Sequence, residues 1–443
     1  MDYPAGPQVP NFLSIDVLHQ SFLEGVDSPV HLTRRCLERI KTLDKTTHAW
    51  VMVDSKRSMK AAESSAQRFL EQKPRSQLDG IPFGVKDIID VAHWPTACGS
   101  SLYQVTPKST ASLVARLEDA GAIPIGKTVT TPFACFDPAP TENPRVPGHT
   151  PGGSSSGSAA AVAGGHVPFA LGSQTGGSVI RPAAYCGTCG FKPTFALFDT
   201  NGVFPVSGAL DTLGWFAQSP SDLLSIHDAL LPELASSSEQ GPMPQPRFVV
   251  WQPLMEALDS AASRKAYEST FRHLSDLGHE IVFRDLPLNW DECLHHHRTL
   301  MVHDLAIAHR DLWPRHQAEY PPGLAELVRE GQTRSPAKRQ MAVDFQKQVV
   351  AKKNDSLGSA EIGLSPAAAG PAPRGKASTG SPIMNSIWTL LGYPAVTLPM
   401  PGTRRLPLGL QLTDTQGDDR RLLRVAERLS TDLKIDSENF RGS

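Results

Sequence analysis

The chain has 443 residues, 40% of them hydrophobic and 20% charged, with a net charge of −2 and a pI near 6.7. It is long enough to bury a large core, and a near-neutral balance without a long basic run excludes a polyanion or a membrane surface as the main partner. Cys36, Cys98, Cys135, Cys186, Cys189 and Cys293 are scattered rather than gathered into a disulfide framework, and no run approaches about 18 apolar residues, so the chain reads as soluble, reduced and cytoplasmic.

Residues 29–44 place Leu32, Cys36, Ile40 and Leu43 at helical spacing behind Ser28-Pro29, which predicts an amphipathic helix. A second, more charged helix is expected over 56–72. Gly80-Ile-Pro-Phe-Gly-Val85 is a short apolar run punctuated by glycine, the pattern of a buried strand delivering Lys86 to the interior. A lysine is seldom buried without cause, and the plain alternative is a surface lysine paired with Asp87 or Asp90. A helix over 110–120 and a strand over 122–125 follow. Gly121 to Thr128 fits the phosphate-loop pattern Gly-x-x-x-x-Gly-Lys-Thr, but a helix precedes it, its variable positions are themselves the strand, and Pro132 interrupts what comes after.

The densest pattern lies between Thr150 and Thr194: Gly152-Gly153-Ser154-Ser155-Ser156-Gly157-Ser158, an Ala-rich run to Ala163, then Gln174-Thr175-Gly176-Gly177-Ser178-Val179-Ile180-Arg181-Pro182. Gly176-Gly177 would let successive N–H groups converge on one small cavity ahead of Ser178, a nest suited to an oxyanion. A serine after such a nest can attack a carbonyl if a base removes its proton. The nearest histidines are His149 and His166, so the base is expected elsewhere.

These two Gly/Ser motifs, with Gly84-Val85-Lys86-Asp87 ahead of them in the same order, resemble the amidase signature family over most of the chain. The resemblance implies an α/β fold, one large domain whose mixed central sheet is covered by helices on both faces. It implies Ser178 as nucleophile, Ser154 on a cis peptide and Lys86 as the proton relay, and the amides of Thr175, Gly176, Gly177 and Ser178 as the oxyanion hole. Ser155 would support the site and Arg181 would anchor structure beside the nucleophile; no metal or organic cofactor is implied. Burial of Lys86 in the strand would lower its pKa from about 10.4 so that it can act as a base. Three positions depart from the common pattern: Gln174 replaces a frequent aspartate, Val129-Thr130 a frequent Asn-Met, and Pro132 a frequent glutamate.

Other motifs have weaker claims. Gly153-Ser-Ser-Ser-Gly157 fits the nucleophile elbow and Ser335-Pro-Ala-Lys338 the serine–lysine pattern of β-lactamases, each without its partner motifs. Cys186-Gly-Thr-Cys189 lacks a second ligand pair apart from Cys293 and His295, His296 and His297, and that histidine run reads as surface and packing of a helix over 290–312. The layout expected is a helical segment over 1–75, a catalytic core over 76–215, a variable pocket-shaping region over 216–374, a return to the core over 375–430 and a tail over 431–443. Within that return, Trp388 to Pro399 and Leu406 to Leu412 read as strands and 422–429 as a closing helix, and Trp215, Phe216 and Trp388 hint at an apolar acyl pocket. The expected reaction is hydrolysis of a small-molecule carboxamide to carboxylate and ammonia, with no nucleic acid or membrane as ligand and a homodimer left open. The rival readings are the amidase-like component of a tRNA-dependent amidotransferase and a non-catalytic scaffold on the same fold.

Overall fold

The computed structural model describes residues 12–237, 245–352, 356–403 and 405–435. Among them eleven strands form one sheet: β1 Trp50–Val53, β2 Pro82–Lys86, β3 Ile123–Thr128, β4 Phe169–Gln174, β5 Cys189–Lys192, β6 Thr212–Ala217, β7 Arg247–Trp251, β8 Ile281–Arg284, β9 Glu361–Pro366, β10 Ala395–Pro399 and β11 Gly409–Thr413. Their order is β1-β3-β2-β4-β6-β5-β10-β11-β9-β7-β8. β2 runs parallel to β3 and β4, and β7 parallel to β8 and β9, while the remaining pairs are antiparallel. The sheet is therefore mixed and surrounded by helices, as the resemblance implies.

Strands buried on both faces read as continuous apolar runs rather than alternating ones. Every residue of β2, β3, β4, β6, β9, β10 and β11 is buried. Phe83 on β2 stacks on Phe169 on β4 at 5.0 Å, locking the pair that carries the site. Beneath them, the helix Ser156–Ala163 is buried all round. A side chain at Gly157 would come within 2.4 Å of the Val129 amide and the Ala49 carbonyl, so glycine and alanine let this helix lie against the sheet.

The amphipathic helix forms over Pro29–Thr47, with Ser28 accepting from the His31 amide at its start, and the charged helix over Ser55–Leu70. The strand expected over 122–125 continues through Gly126, Lys127 and Thr128, which rules out a phosphate loop there. Lys127 rather than Lys86 pairs with Asp87, at 3.1 Å, and both side chains are buried. Ser335 accepts from the Lys338 amide and caps the helix Pro336–Ala351, which accounts for that serine–lysine pattern as a helix start.

Two expectations fail at the C-terminal end. Trp388 to Leu390 belongs to the helix Ile383–Leu390, and strand begins again at Ala395. The turn at Gly392, with φ +67°, breaks the apolar run in two, so hydrophobicity alone misassigns its first half. The closing helix spans Asp419–Asp432, so Thr431 is helical rather than tail; residues 436–443 lie outside the described residues.

Candidate active site

Each part of the site arrives on its own element. β2 ends on Lys86, whose side chain is fully buried. Its Nζ lies 2.7 Å from Ser154 Oγ and 2.8 Å from Ser173 Oγ. Burial pushes the Lys86 amine down to about 7, opposed by the negative charge of Asp211. A lysine near this value is partly neutral at neutral pH and has a lone pair to accept a proton.

Ser154 sits in the turn before the helix Ser156–Ala163, and the Gly153–Ser154 peptide is cis. The Ser154 carbonyl accepts from the Thr131 amide at 3.1 Å and the Thr130 hydroxyl at 3.3 Å, which gives the departure at 129–130 a role in holding the turn. Arg181 Nη2 donates to the Gly153 carbonyl at 2.7 Å. Ser155 Oγ bonds both the carbonyl and the amide of Ser173 at 3.3 Å, tying the turn to the end of β4.

From 149 to 186 every residue is buried except Ser178, which is partly exposed on the wall of a cavity of about 200 Å³. Ser154, Thr175, Gly176, Gly177 and Arg181 line the same cavity. The amides of Gly176, Gly177 and Ser178 donate to no protein acceptor among the described residues. Neither glycine adopts a left-handed conformation, contrary to the reason expected for them. Space is what matters at Gly177: a Cβ there would lie 2.3 Å from Asn385 Oδ1. At Gly176 the nearest atom would be 3.5 Å away, ordinary contact.

Several residues that hold this loop carried no motif. Gln174 Oε1 accepts from the Val179 and Ile180 amides at 2.9 and 3.1 Å, capping the helix Ile180–Cys186, and its Nε2 donates to Thr389 Oγ1 at 3.1 Å. Thr389 Oγ1 in turn donates to the Gly176 carbonyl at 2.8 Å. His297 Nε2 lies 2.8 Å from the Thr175 carbonyl, and burial drives its pKa down to about 4, so the ring is neutral and donates. The histidine run is thus not merely surface: His297 is buried against the loop, and Leu294, His297, Arg298 and Met301 line the cavity. Trp215, Phe216 and Trp388 lie fully in the core and not on the cavity wall, whose apolar part includes Phe136, Val206 and Ile383. Among the described residues no three of His, Cys, Asp or Glu converge as a metal site, and no helix is long and apolar enough to cross a membrane.

A buried lysine, a serine on a cis peptide and a partly exposed serine following two glycines are assembled on a mixed sheet, and the Amidase family model matches residues 31–423. The chain belongs to the amidase signature family. It is 28% identical over 450 residues to the A subunit of a glutamyl-tRNA(Gln) amidotransferase from Legionella pneumophila, covering 90% of this chain and 92% of that one. The relative of the same name from Chloroflexus aggregans is 34% identical over 245 residues, and there the match spans 54% of this chain and only 50% of the relative's length. A crystal structure of an amidase superposes with a TM-score of 0.86 at 26% identity, over 95% of this chain and all of that one.

Proposed function

We propose that the protein hydrolyses a small-molecule carboxamide to carboxylate and ammonia. The observation that carries this reading is the 2.7 Å approach of a fully buried Lys86 to Ser154 Oγ, beside the one partly exposed serine of the motif. Ser178 attacks the carbonyl, and its proton passes to Ser154 and from Ser154 to Lys86. The amides of Thr175, Gly176, Gly177 and Ser178 stabilise the oxyanion, an arrangement that elsewhere contributes about 3 to 4 kcal/mol per donor. Lys86 and Ser154 return the proton to the leaving nitrogen, and water then cleaves the acyl-enzyme by the same relay. Treatment with a fluorophosphonate followed by intact mass and peptide mapping tests this; the expected result is one adduct, on Ser178, absent from Ser178→Ala. A well-folded protein that takes no adduct would sink the reading and return the scaffold alternative.

The cavity also favours an acyl group that ends in a carboxylate. Arg181 is 2% exposed, and its hydrogen bonds go to the Gly153 carbonyl and to Thr379 Oγ1, while Nε and Nη1 have no partner among the described residues. A buried guanidinium without a carboxylate calls for an anion. Arg298 adds a second guanidinium to the same wall, offset by Glu330 at 2.6 Å. Short amides with a terminal carboxylate should show a KM at least about tenfold below their uncharged counterparts, and Arg181→Met should remove that difference; equal KM values in the unmodified protein would refute it.

The amidotransferase reading is supported by the name and the 92% coverage of the Legionella relative. Co-purification of a stable partner, with glutaminase activity that appears only in its presence, would favour it over a stand-alone hydrolase.

A further inference from the structure

Asp211 has no part in the relay above, yet it is bonded to the loop and shares a small chamber with Ser173, the second partner of Lys86. It lies in the turn that leads into β6. Thr175 Oγ1 donates to its Oδ1 at 2.5 Å, while the Val206 and Ser207 amides donate to its Oδ2 at 2.8 and 2.9 Å. Three donors on one carboxylate fix it and, through Thr175, fix the first residue of the proposed oxyanion hole. Asp211 and Ser173 also line one small chamber behind the loop, and Ser173 Oγ is the second partner of Lys86.

We propose that Asp211 is a positioning residue of the hydrolytic site, anchoring the oxyanion loop through Thr175 and setting a carboxylate in the chamber it shares with Ser173, the second partner of Lys86. This rests on the roles given above to Ser178 and Lys86. The other titratable groups facing Lys86 are the thiols of Cys135, after β3, and Cys98, after β2, both pushed upward by burial and therefore neutral. Asp87, next in the chain, is engaged by Lys127 at 3.1 Å. Asp304, which accepts from Ser207 Oγ at 2.8 Å, is engaged by Arg339. That leaves Asp211 as the carboxylate whose charge Lys86 meets. Burial raises Asp211 to about 6, while the hydrogen bonds from Thr175, Val206 and Ser207 and the charge of Lys86 favour its ionised form.

The sign follows. An ionised Asp211 stabilises the ammonium of Lys86 and so holds the acid limb of reactivity at higher pH than burial alone would. Asp211→Asn removes that charge, and its amide can still accept from the two backbone N–H groups while donating to Thr175. The test is the rate of fluorophosphonate addition to Ser178 as a function of pH, which needs no knowledge of the substrate. In Asp211→Asn the midpoint of the acid limb should move down by roughly 0.5 to 1 pH unit, raising the rate relative to plateau about 3- to 10-fold well below the midpoint. In Thr175→Val the plateau should drop about tenfold while the midpoint stays, because the anchor is cut and the charge kept. An unmoved midpoint in Asp211→Asn overturns the charge role, and an unchanged plateau in Thr175→Val overturns the anchoring role. Should Asp211→Asn fail to fold, Asp211→Ser, which keeps one acceptor for the Val206 and Ser207 amides, carries the same measurement. Failure of the unmodified protein to label, or an acid limb that survives in Lys86→Ala, overturns the hydrolytic reading itself, an outcome distinct from an unmoved midpoint.

Discussion

At the scale of single residues, the proposed chemistry depends on one proton and where it can go. If neutral Lys86 is the base, reactivity rises with pH through a midpoint near 7, because the ammonium form that dominates below it has no lone pair to offer. A pH profile of Ser178 labelling checks this, and a flat profile between pH 6 and 8 would remove Lys86 from the role. Lys86→Ala should lower the rate by at least about a hundredfold, the usual contribution of a positioned base. Lys86, Ser154 and Ser178 stood out as candidates for this proposed relay because they lie in motifs of fixed local spacing. Arg181 was legible as a neighbour of Ser178 but not as a buried guanidinium on the cavity wall, since burial of a polar side chain leaves no mark on a sequence.

At the scale of elements, the loop at 175–178 is held from outside its own motif. The helix Ile383–Leu390 supplies Asn385 against Gly177 and Thr389 to the Gly176 carbonyl. Gly177→Ala should therefore slow labelling at least tenfold, because the buried Asn385 side chain, held through Nδ2 by the Ala367 carbonyl and Gln411, must shift to admit a methyl group at 2.3 Å, whereas Gly176→Ala should fold and label within a few-fold of the unmodified protein. Equal effects of the two would mean that conformation, not contact with Asn385, decides these positions. Gln174 offers a second test of the same clamp. Gln174→Glu would keep the two amide bonds of the helix cap but turn the donor to Thr389 into an acceptor, drawing the Thr389 hydroxyl off the Gly176 carbonyl. Loss of one such bond amounts to about 1 kcal/mol, or roughly a fivefold slower rate. None of this clamp was readable in the chain, because its partners lie more than two hundred positions apart and the apolar run around Trp388 has the hydrophobicity of a strand. The buried strand β2, by contrast, was legible from a short apolar run that Gly80, Pro82 and Gly84 punctuate.

Over the whole molecule, the proposed site is a joint product of distant stretches of chain. β2 and β4 pair in parallel and bring Lys86 and the Ser178 loop side by side, while His297 and the 383–390 helix close over them from the later half. A chain ending before Lys376 should thus take no fluorophosphonate even if it remains in solution; efficient labelling of Ser178 in it would show that the core alone builds the site. The family membership was legible from motifs confined to the interior, and the substrate was not, because the cavity wall draws on side chains that no motif contains. Four of them, Leu294, His297, Arg298 and Met301, recur at intervals of three and four along the helix Trp290–Ala308 and so share one of its faces. Under the proposed reaction, a handful of substitutions along this one helical stripe would re-aim unchanged chemistry at a different acyl group, and a small combinatorial library over Leu294, Arg298 and Met301 tests that.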